Sequence, residues 1–519
     1  MATQDSGQAR LLQLGYIQQL PRVLSWQQNA AICFSIMSVT TAISGLFGTG
    51  LAYGGPGSLV WGWVLASFFT CFMTLSMSEL SSSLPVAGGI YYWSYMLSGR
   101  YGPFAAWLTA HANFVGQVAF VASNEFTCMQ MLTTWISLAH LGITGDSYAL
   151  SSGQQVAMYC GLVGLHGFIN TAPVQYLGWL AKLSSVWHLG GTLAWIWAML
   201  IVTPAKQPLG TVLTTFQPNP MSGITNGVYI FLIGLLTSCW SLTGYDATAH
   251  LLEETIQADR AASQSMLAAA GVSVLLGFAY LLTLCSCIQD FAGVFDPGNE
   301  TGGMAPAAQI MWDAFKRRFG SGTGSLVVLM VPLGTSFLCG LFSVTSASRM
   351  LYGAARDGSV AFLAPFARVS SLTGAPITSV LFVCILTLLP ALTITVNPFI
   401  FLAISSLSTI GLAFSYAAPI FCRVFLAHST FQPGHFRLGR WSYLCGGIAV
   451  GWSIFICIVF SLPAIYPLTP ETSNYSSVGL ILVLLWVTVT WIWARHWYKG
   501  PSPEICNSDI VKVKPHAWG

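Results

Sequence analysis

Two carboxylic acids stand where an apolar chain ought to carry none. Asp246, in CWSLTGYDATAHLLEE (Cys239 to Glu254), and Glu125, in VASNEFTCMQ, both fall inside runs long enough to cross a bilayer. An acid at the centre of such a run costs about 2.5–3.5 kcal/mol on insertion scales, so it faces a cavity or a partner. No lysine or arginine sits at the same depth, which makes the interior cation-friendly, and Trp240 and Tyr245 beside Asp246 offer ring faces to an ammonium. His188, in KLSSVWHLGG, adds an imidazole that titrates near neutral pH. Asp246, Glu125 and His188 are therefore candidates for a coupling proton, and the two acids for pairing with a substrate amine. The competing roles are structural: Asp246 as the cap of an interrupted helix, Glu125 as a buried hydrogen-bonded carboxyl, His188 as a hydrogen-bonding core residue, and the two aromatics as packing.

The elements that must hold these residues are membrane helices. Hydrophobic residues make up 54% of the 519, charged residues 7%, and the mean hydropathy is +0.68, which excludes a soluble core. Twelve apolar runs are expected as spans, at 30–53, 58–83, 104–136, 155–172, 178–203, 226–251, 264–288, 325–352, 376–396, 399–425, 441–463 and 477–498. With residues 1–29 and 499–519 read as cytoplasmic tails around one transmembrane domain of 30–498, 15 of the 19 Lys and Arg fall inside. Only Lys206, Lys316, Arg317 and Arg318 fall outside, and that bias supports an even number of spans with both ends in. The opening MATQDSGQAR lacks the apolar h-region of a signal peptide. Asn299 and Asn474 head sequons in expected outer loops and are candidate glycosylation sites. The thirteen cysteines lie mostly in spans without paired ligand spacing, so neither a metal site nor a disulfide framework is expected.

Two spans carry residues that loosen a backbone. The first contains SVTTAISGLFGTGLAYGG (Ser38 to Gly55), the sixth SLTGYD (Ser241 to Asp246). Irregular backbone survives in a bilayer only where protein or a water-filled cavity covers it. The small residues of the first stretch fit either close helix packing or a deliberate break. A second interrupted span five spans later favours the break, because such pairs mark the binding site of inverted-repeat transporters.

These residues resemble the amino acid–polyamine–organocation superfamily, in particular its amino acid/choline transporter branch, which includes fungal choline and GABA permeases. The resemblance rests on TAISGLFGTGLAYGGPGSLVWGW, SMSELSSSLPVAGGIYYW, WSLTGYDATAHLLEET and SRMLYGAARDG and covers nearly the whole chain. It implies an all-α integral membrane protein of twelve transmembrane helices: a five-plus-five inverted repeat with helices 1 and 6 discontinuous, plus two peripheral helices. Carried over by position, the first break is Thr40, Thr41, Ala42, Ile43 and Ser44, the second Ser241, Leu242, Thr243, Gly244 and Tyr245, and Trp240 takes the place of a substrate-lidding aromatic. Thr40-Thr41-Ala42 replaces the Gly-Ser-Gly-like break of relatives that bind an amino-acid carboxylate.

The expected function is that of a secondary active transporter that imports a small amine-bearing solute, a choline-like cation or a GABA-like zwitterion, by alternating access. On the resemblance and the buried titratable groups, a proton is the expected coupling ion rather than sodium. A sensor built on the same fold and an exporter of a specialised nitrogenous metabolite are the alternatives. No triad or ligand spacing points to an enzyme, no cofactor or nucleic-acid partner is expected, and no oligomeric state is assigned. The expected location is the plasma membrane, with a vacuolar or other endomembrane as the alternative.

Overall fold

The computed structural model describes residues 5–217, 223–358, 364–393, 400–427, 430–469 and 475–501. A short helix, α1 (Ser6–Gln13), precedes the first span, which is split into α2 (Trp26–Met37) and α3 (Val39–Ala52). Then follow α4 (Gly55–Ser83), α5 (Gly89–Leu97), α6 (Gly102–Thr144), α7 (Ser152–Asn170), and α8 (Val174–Val186) with α9 (Thr192–Val202), joined by a π-helical turn over Trp187–Gly191. A six-residue α10 (Leu209–Thr214) leads to the second split span, α11 (Gly227–Ser241) and α12 (Ala247–His250). The chain continues through α13 (Ala258–Ser286), α14 (Pro306–Phe319), α15 (Ser325–Arg356), α16 (Ile377–Leu388), α17 (Ile400–Phe421), α18 (Trp441–Val459) and α19 (Ser476–Ala494).

Among the described residues, 9 helices are long and apolar enough to cross a membrane. The other three expected spans coincide with helices that are interrupted (α11), short (α16) or made more polar by Gln, His and Asn (α7). The segment 289–324, which holds the expected outer loop with Asn299, carries a helix of its own: α14 starts at Pro306, ends in Lys316, Arg317, Arg318 and Phe319, and closes on a left-handed Gly320. Proline at the first turn, cations in the last and glycine just beyond are what a helix of that length requires. Asn299 is likewise committed, its amide donating to the carbonyls of Gly293 and Val294 at 2.9 and 3.2 Å. Asn474 lies outside the described residues.

The glycines of the first split span prove to serve packing, and the break is made elsewhere. A Cβ on Gly45 would stand 2.7 Å from Thr127 Cγ2 of α6, one on Gly48 2.9 Å from Pro306 of α14, and one on Gly50 2.7 Å from Thr237 Oγ1 of α11. The interruption falls at Ser38, whose φ of 27° an L-residue rarely adopts. Small residues thus let α3 sit tightly among its neighbours while Ser38 parts it from α2.

The face that the charge bias assigns to the cytoplasm is sealed. The Arg356 guanidinium holds Glu253 by two bonds of 2.7 and 2.9 Å, and Arg349 reaches Glu254 at 3.2 Å. Over these pairs runs the segment before α2: the Val23 and Leu24 amides donate to the Glu254 carbonyl at 2.9 and 2.8 Å, and Ile256 donates back to Leu24. Helix α1 packs on α13, with Ser6 Oγ donating to Asp259 at 2.8 Å.

Candidate functional site

The two interruptions face each other at the centre of the bundle. The second runs from Leu242, where α11 ends, to Asp246, before the single turn of α12, and pivots on Gly244 at φ 101°. A Cβ on Gly244 would lie 2.8 Å from Ile36 Cγ2, so the broken end of α2 sits directly against this glycine. Each half-helix leaves terminal carbonyls or amides without intrahelical partners. Ser38 makes no side-chain cap bond to α3, whose first N–H groups belong to Val39, Thr40 and Thr41. At the end of α2, the Ile36 carbonyl accepts from the Cys339 thiol of α15 at 3.2 Å.

The expected first break, Thr40 to Ser44, is therefore the opening stretch of α3 instead. Its hydroxyls bind outward to the surrounding helices: Thr40 to Thr192 of α9 at 2.8 Å, Thr41 to Ser38 at 2.6 Å and to Thr335 of α15 at 3.2 Å, and Ser44 to Tyr280 of α13 at 2.6 Å. Ala42 and Ile43 are buried among apolar neighbours. The residue at the break is held by His188. Its Nε2 lies 2.9 Å from Ser38 Oγ, while Nδ1 lies 2.9 Å from the Ser184 carbonyl. The π-helical turn that carries His188 thus ties α8 to the interrupted residue.

Asp246 departs most from its expected roles. It makes no side-chain cap bond to α12 and is fully buried. Its Oδ1 accepts from Tyr416 Oη at 2.6 Å, and Oδ2 from Gln117 at 2.7 Å, with Asn113 at 3.2 Å and His250 at 3.3 Å. Three of these four groups crowd Oδ2 and one meets Oδ1, so the protein takes most of the carboxylate's acceptor capacity. Asp246 joins the second interruption to α6 and α17 as a clamp. Glu125 is also buried and also partnered, through Oε1, by His166 Nδ1 of α7 at 2.6 Å. Among the described residues, its Oε2 and the His166 Nε2 have no hydrogen-bond partner. The pair packs on Gly340, the neighbour of Cys339, which places it one residue from the contact that holds the end of α2.

The remaining candidates divide. Ser241 and Thr243 bond their own helix, at the Thr237 and Cys239 carbonyls, both at 2.6 Å. Thr243 and Tyr245 line a crevice of about 20 Å³ with Thr70, Tyr416 and Trp452. Trp240 packs against Phe120 and, edge to face, against Phe401, and its indole N–H has no partner among the described residues. Above this aromatic layer opens a cavity of about 580 Å³ whose lining includes Ser44, Gly45, Gln130, Pro306 and Phe401. It lies on the side of the segment 289–324, whose Phe295, Gly303 and Met304 share its lining.

Sequence reasoning passed over Ser38, His166, Asn113, Gln117 and Tyr416. Ser38 opened the stretch that drew attention, and His166 is a histidine in an expected span, as His188 is. The three donors to Asp246 carried no local signal.

Gly244 offers a direct test of the interruption. Gly244→Ala sets a side chain at φ 101°, a strain of about 1–3 kcal/mol, and pushes on Ile36. Radiotracer uptake at matched surface expression is expected to fall about tenfold, the rate change equivalent to 1.4 kcal/mol. Uptake at the parent rate would show that the close approach of the two half-helices is dispensable.

Comparison with known proteins places the whole arrangement. The family model described as "Amino acid permease" matches residues 24–486. The chain is 41% identical to the amino-acid permease BAT1 of Arabidopsis thaliana over 97% of its own length and 98% of that protein. It is 39% identical to the rice homolog of that permease, over 96% of each chain. It is 26% identical to the GABA-specific permease of Saccharomyces cerevisiae, over 97% of this chain and 87% of the yeast one.

Proposed function

We propose that this chain, which belongs to the amino acid permease family, carries an amino acid or GABA-like zwitterion across its membrane by alternating access, coupled to a proton. The observation that carries the reading is the pair of facing helix interruptions beneath an outer cavity and above a sealed inner face. A site built that way recognises solute through helix ends. Amides opening α3, joined by the unpartnered Trp240 indole, suit a carboxylate, and carbonyls closing α2 and α11 suit an ammonium. Both central acids are already partnered, which favours a zwitterion over a choline-like cation. The names of the plant and yeast relatives, amino-acid permease and GABA-specific permease, agree with that class. Multi-pass membrane insertion follows from the family and the apolar helices, and the plasma membrane is the proposed location.

For the proton we favour the Glu125–His166 pair. A carboxylate and an imidazole 2.6 Å apart, both buried, form a site at which a proton can be held between two side chains. Cys128, Cys339, Cys384 and Tyr159 are the other titratable groups around the carboxylate. The test is uptake into proteoliposomes, with and without an imposed acid-outside gradient, of radiolabelled GABA, glutamate, alanine, lysine and choline. At least one amino acid or GABA is expected to accumulate on the gradient, and choline is not. Glu125→Gln is expected to keep exchange of that solute while gradient-driven accumulation falls about tenfold or more and the pH profile flattens. Accumulation unchanged in this variant would move the proton elsewhere, with His188 as the next candidate, and transport of choline alone would overturn the substrate class.

A further inference from the structure

We propose that a two-part cavity that opens at the cytoplasmic-side ends of α6, α17 and α19 and continues along α18 binds one anionic phospholipid of the inner leaflet. The first part, about 530 Å³, is lined by Arg100, Arg495 and Lys499 together with Tyr101, Trp491 and Tyr498. Among the described residues no carboxylate lines it. The three cations come from opposite ends of the chain, Arg100 from the turn before α6 and the other two from the residues after α19. Positive charge scattered along an inner face needs no ligand, because insertion alone accounts for it. Three cations gathered into one concavity, with no carboxylate beside them among the described residues, leave a field that a phosphate would satisfy.

The second part makes that phosphate a lipid's. A groove of about 920 Å³ shares Tyr101 and Phe104 with the cationic pocket and continues past Leu108, Phe414, Ala418 and Ile458. Its lining is nearly all apolar, as an acyl chain requires. Arg100 lies over the Tyr101 ring at 4.7 Å and donates to its hydroxyl at 2.6 Å, which fixes a guanidinium at the junction of the two parts. Helix α19 leaves the site open to the bilayer, since only 11% of its apolar window is buried. The groove has a route to transport as well. One wall is α17 with its π-helical end Cys422–Leu426, and α17 carries Tyr416, which donates to Asp246. A lipid seated there braces the helix that clamps the second interruption.

The test uses the purified full-length protein in detergent, with dioleoyl phosphatidylserine, dioleoyl phosphatidylcholine and glycerol 3-phosphate as probes, and mass measurement of the intact complex as readout. One phosphatidylserine per chain is expected to be retained, phosphatidylcholine not, and millimolar glycerol phosphate is expected not to displace it. The triple variant Arg100→Gln, Arg495→Gln, Lys499→Gln is expected to bind about a hundredfold more weakly, roughly fivefold for each cation lost. Arg100→Lys with Arg495→Lys keeps the charge and is expected to stay within about fivefold of the parent. Ala418→Trp, which fills the groove, is expected to weaken retention with the cations intact. If that variant does not fold, the exposed charge variants decide alone. Equal retention by the triple variant, or equal retention of phosphatidylcholine, overturns the proposal. Displacement by glycerol phosphate would show a free-anion site and overturn the lipid assignment.

Discussion

Replacing Arg356 by alanine is expected to leave the carrier resting with its inner face open. The guanidinium is only 5% exposed, bonds both oxygens of Glu253 and lies 3.4 Å from Asp357. It also lies over the rings of Tyr16 and Tyr352, at 5.0 and 5.6 Å, so it joins the segment before α2 to the ends of α12 and α15. Without it the closed face would bury two carboxylates stripped of their bonded cation, at about 3–5 kcal/mol. Opening lets water reach them, so most of that penalty falls on the closed state, and the equilibrium moves by two to three powers of ten toward the open one. Cys33 reports the change. Its thiol is buried and donates to the Tyr245 carbonyl, on the surface where α2 meets the second interruption. In a variant whose other cysteines are replaced, maleimide labelling of Cys33 from the inner side is expected to quicken about a hundredfold. Concentrative uptake is expected to collapse while exchange persists. The charge swap Glu253→Arg with Arg356→Glu is expected to restore part of the seal. Unchanged labelling would mean that the backbone bonds between Leu24 and the Glu254–Ile256 strand-like stretch hold the face closed without the ion pair.

The sequence located the machinery by composition but not by contact. A hydroxyl-rich and glycine-rich stretch marks a region of α2 and α3 where the backbone is loosened, and the region was found. The residue at the break, Ser38, is held by His188, 150 residues further along, a contact that no local pattern shows. The second break lay within one residue of its expected place because Gly244 names itself: no other residue type sits at φ 101° without strain. Asp246 and Glu125 were conspicuous because acids are costly in spans. Their partners were not, since asparagine, glutamine, tyrosine and histidine occur in many membrane helices. The pairings span 133 residues to Asn113, 170 to Tyr416 and 41 to His166. Helix α14 is a different kind of miss. Proline, a basic last turn and a glycine stop were all present from Pro306 to Gly320, and reading the stretch as loop gave its low hydropathy more weight than its end signals.

Asp246→Asn is expected to lower stability sharply and to leave solute affinity in the folded fraction near that of the parent. As a clamp, the carboxylate offers acceptors on both oxygens to donors from three helices: Tyr416 from α17, Gln117 and Asn113 from α6, and His250 from α12. Asparagine has one carbonyl oxygen and, in place of the other, an NH₂ that donates. With the oxygen toward Tyr416, that NH₂ faces the Gln117 and Asn113 amides. With the oxygen toward the amides, the tyrosine loses its charged acceptor. Losing the charge from a buried, fully bonded group costs about 3–5 kcal/mol. A lower melting temperature by fluorescence-detected size exclusion is therefore the expected readout. Tyr416→Phe, which removes one donor of the four, is expected to cost about 1.5–3 kcal/mol. The double variant is expected to cost less than the sum, because both changes break the same bond. A substrate-binding role for Asp246 gives the opposite pattern: affinity for the amine falls several hundredfold while the melting temperature stays at the parent value. A coupling role gives a third, in which stability and affinity are kept but accumulation against a gradient fails. Measured together at matched folded protein, melting, affinity and accumulation separate a carboxylate that holds α6, α12 and α17 in register from one that touches the solute.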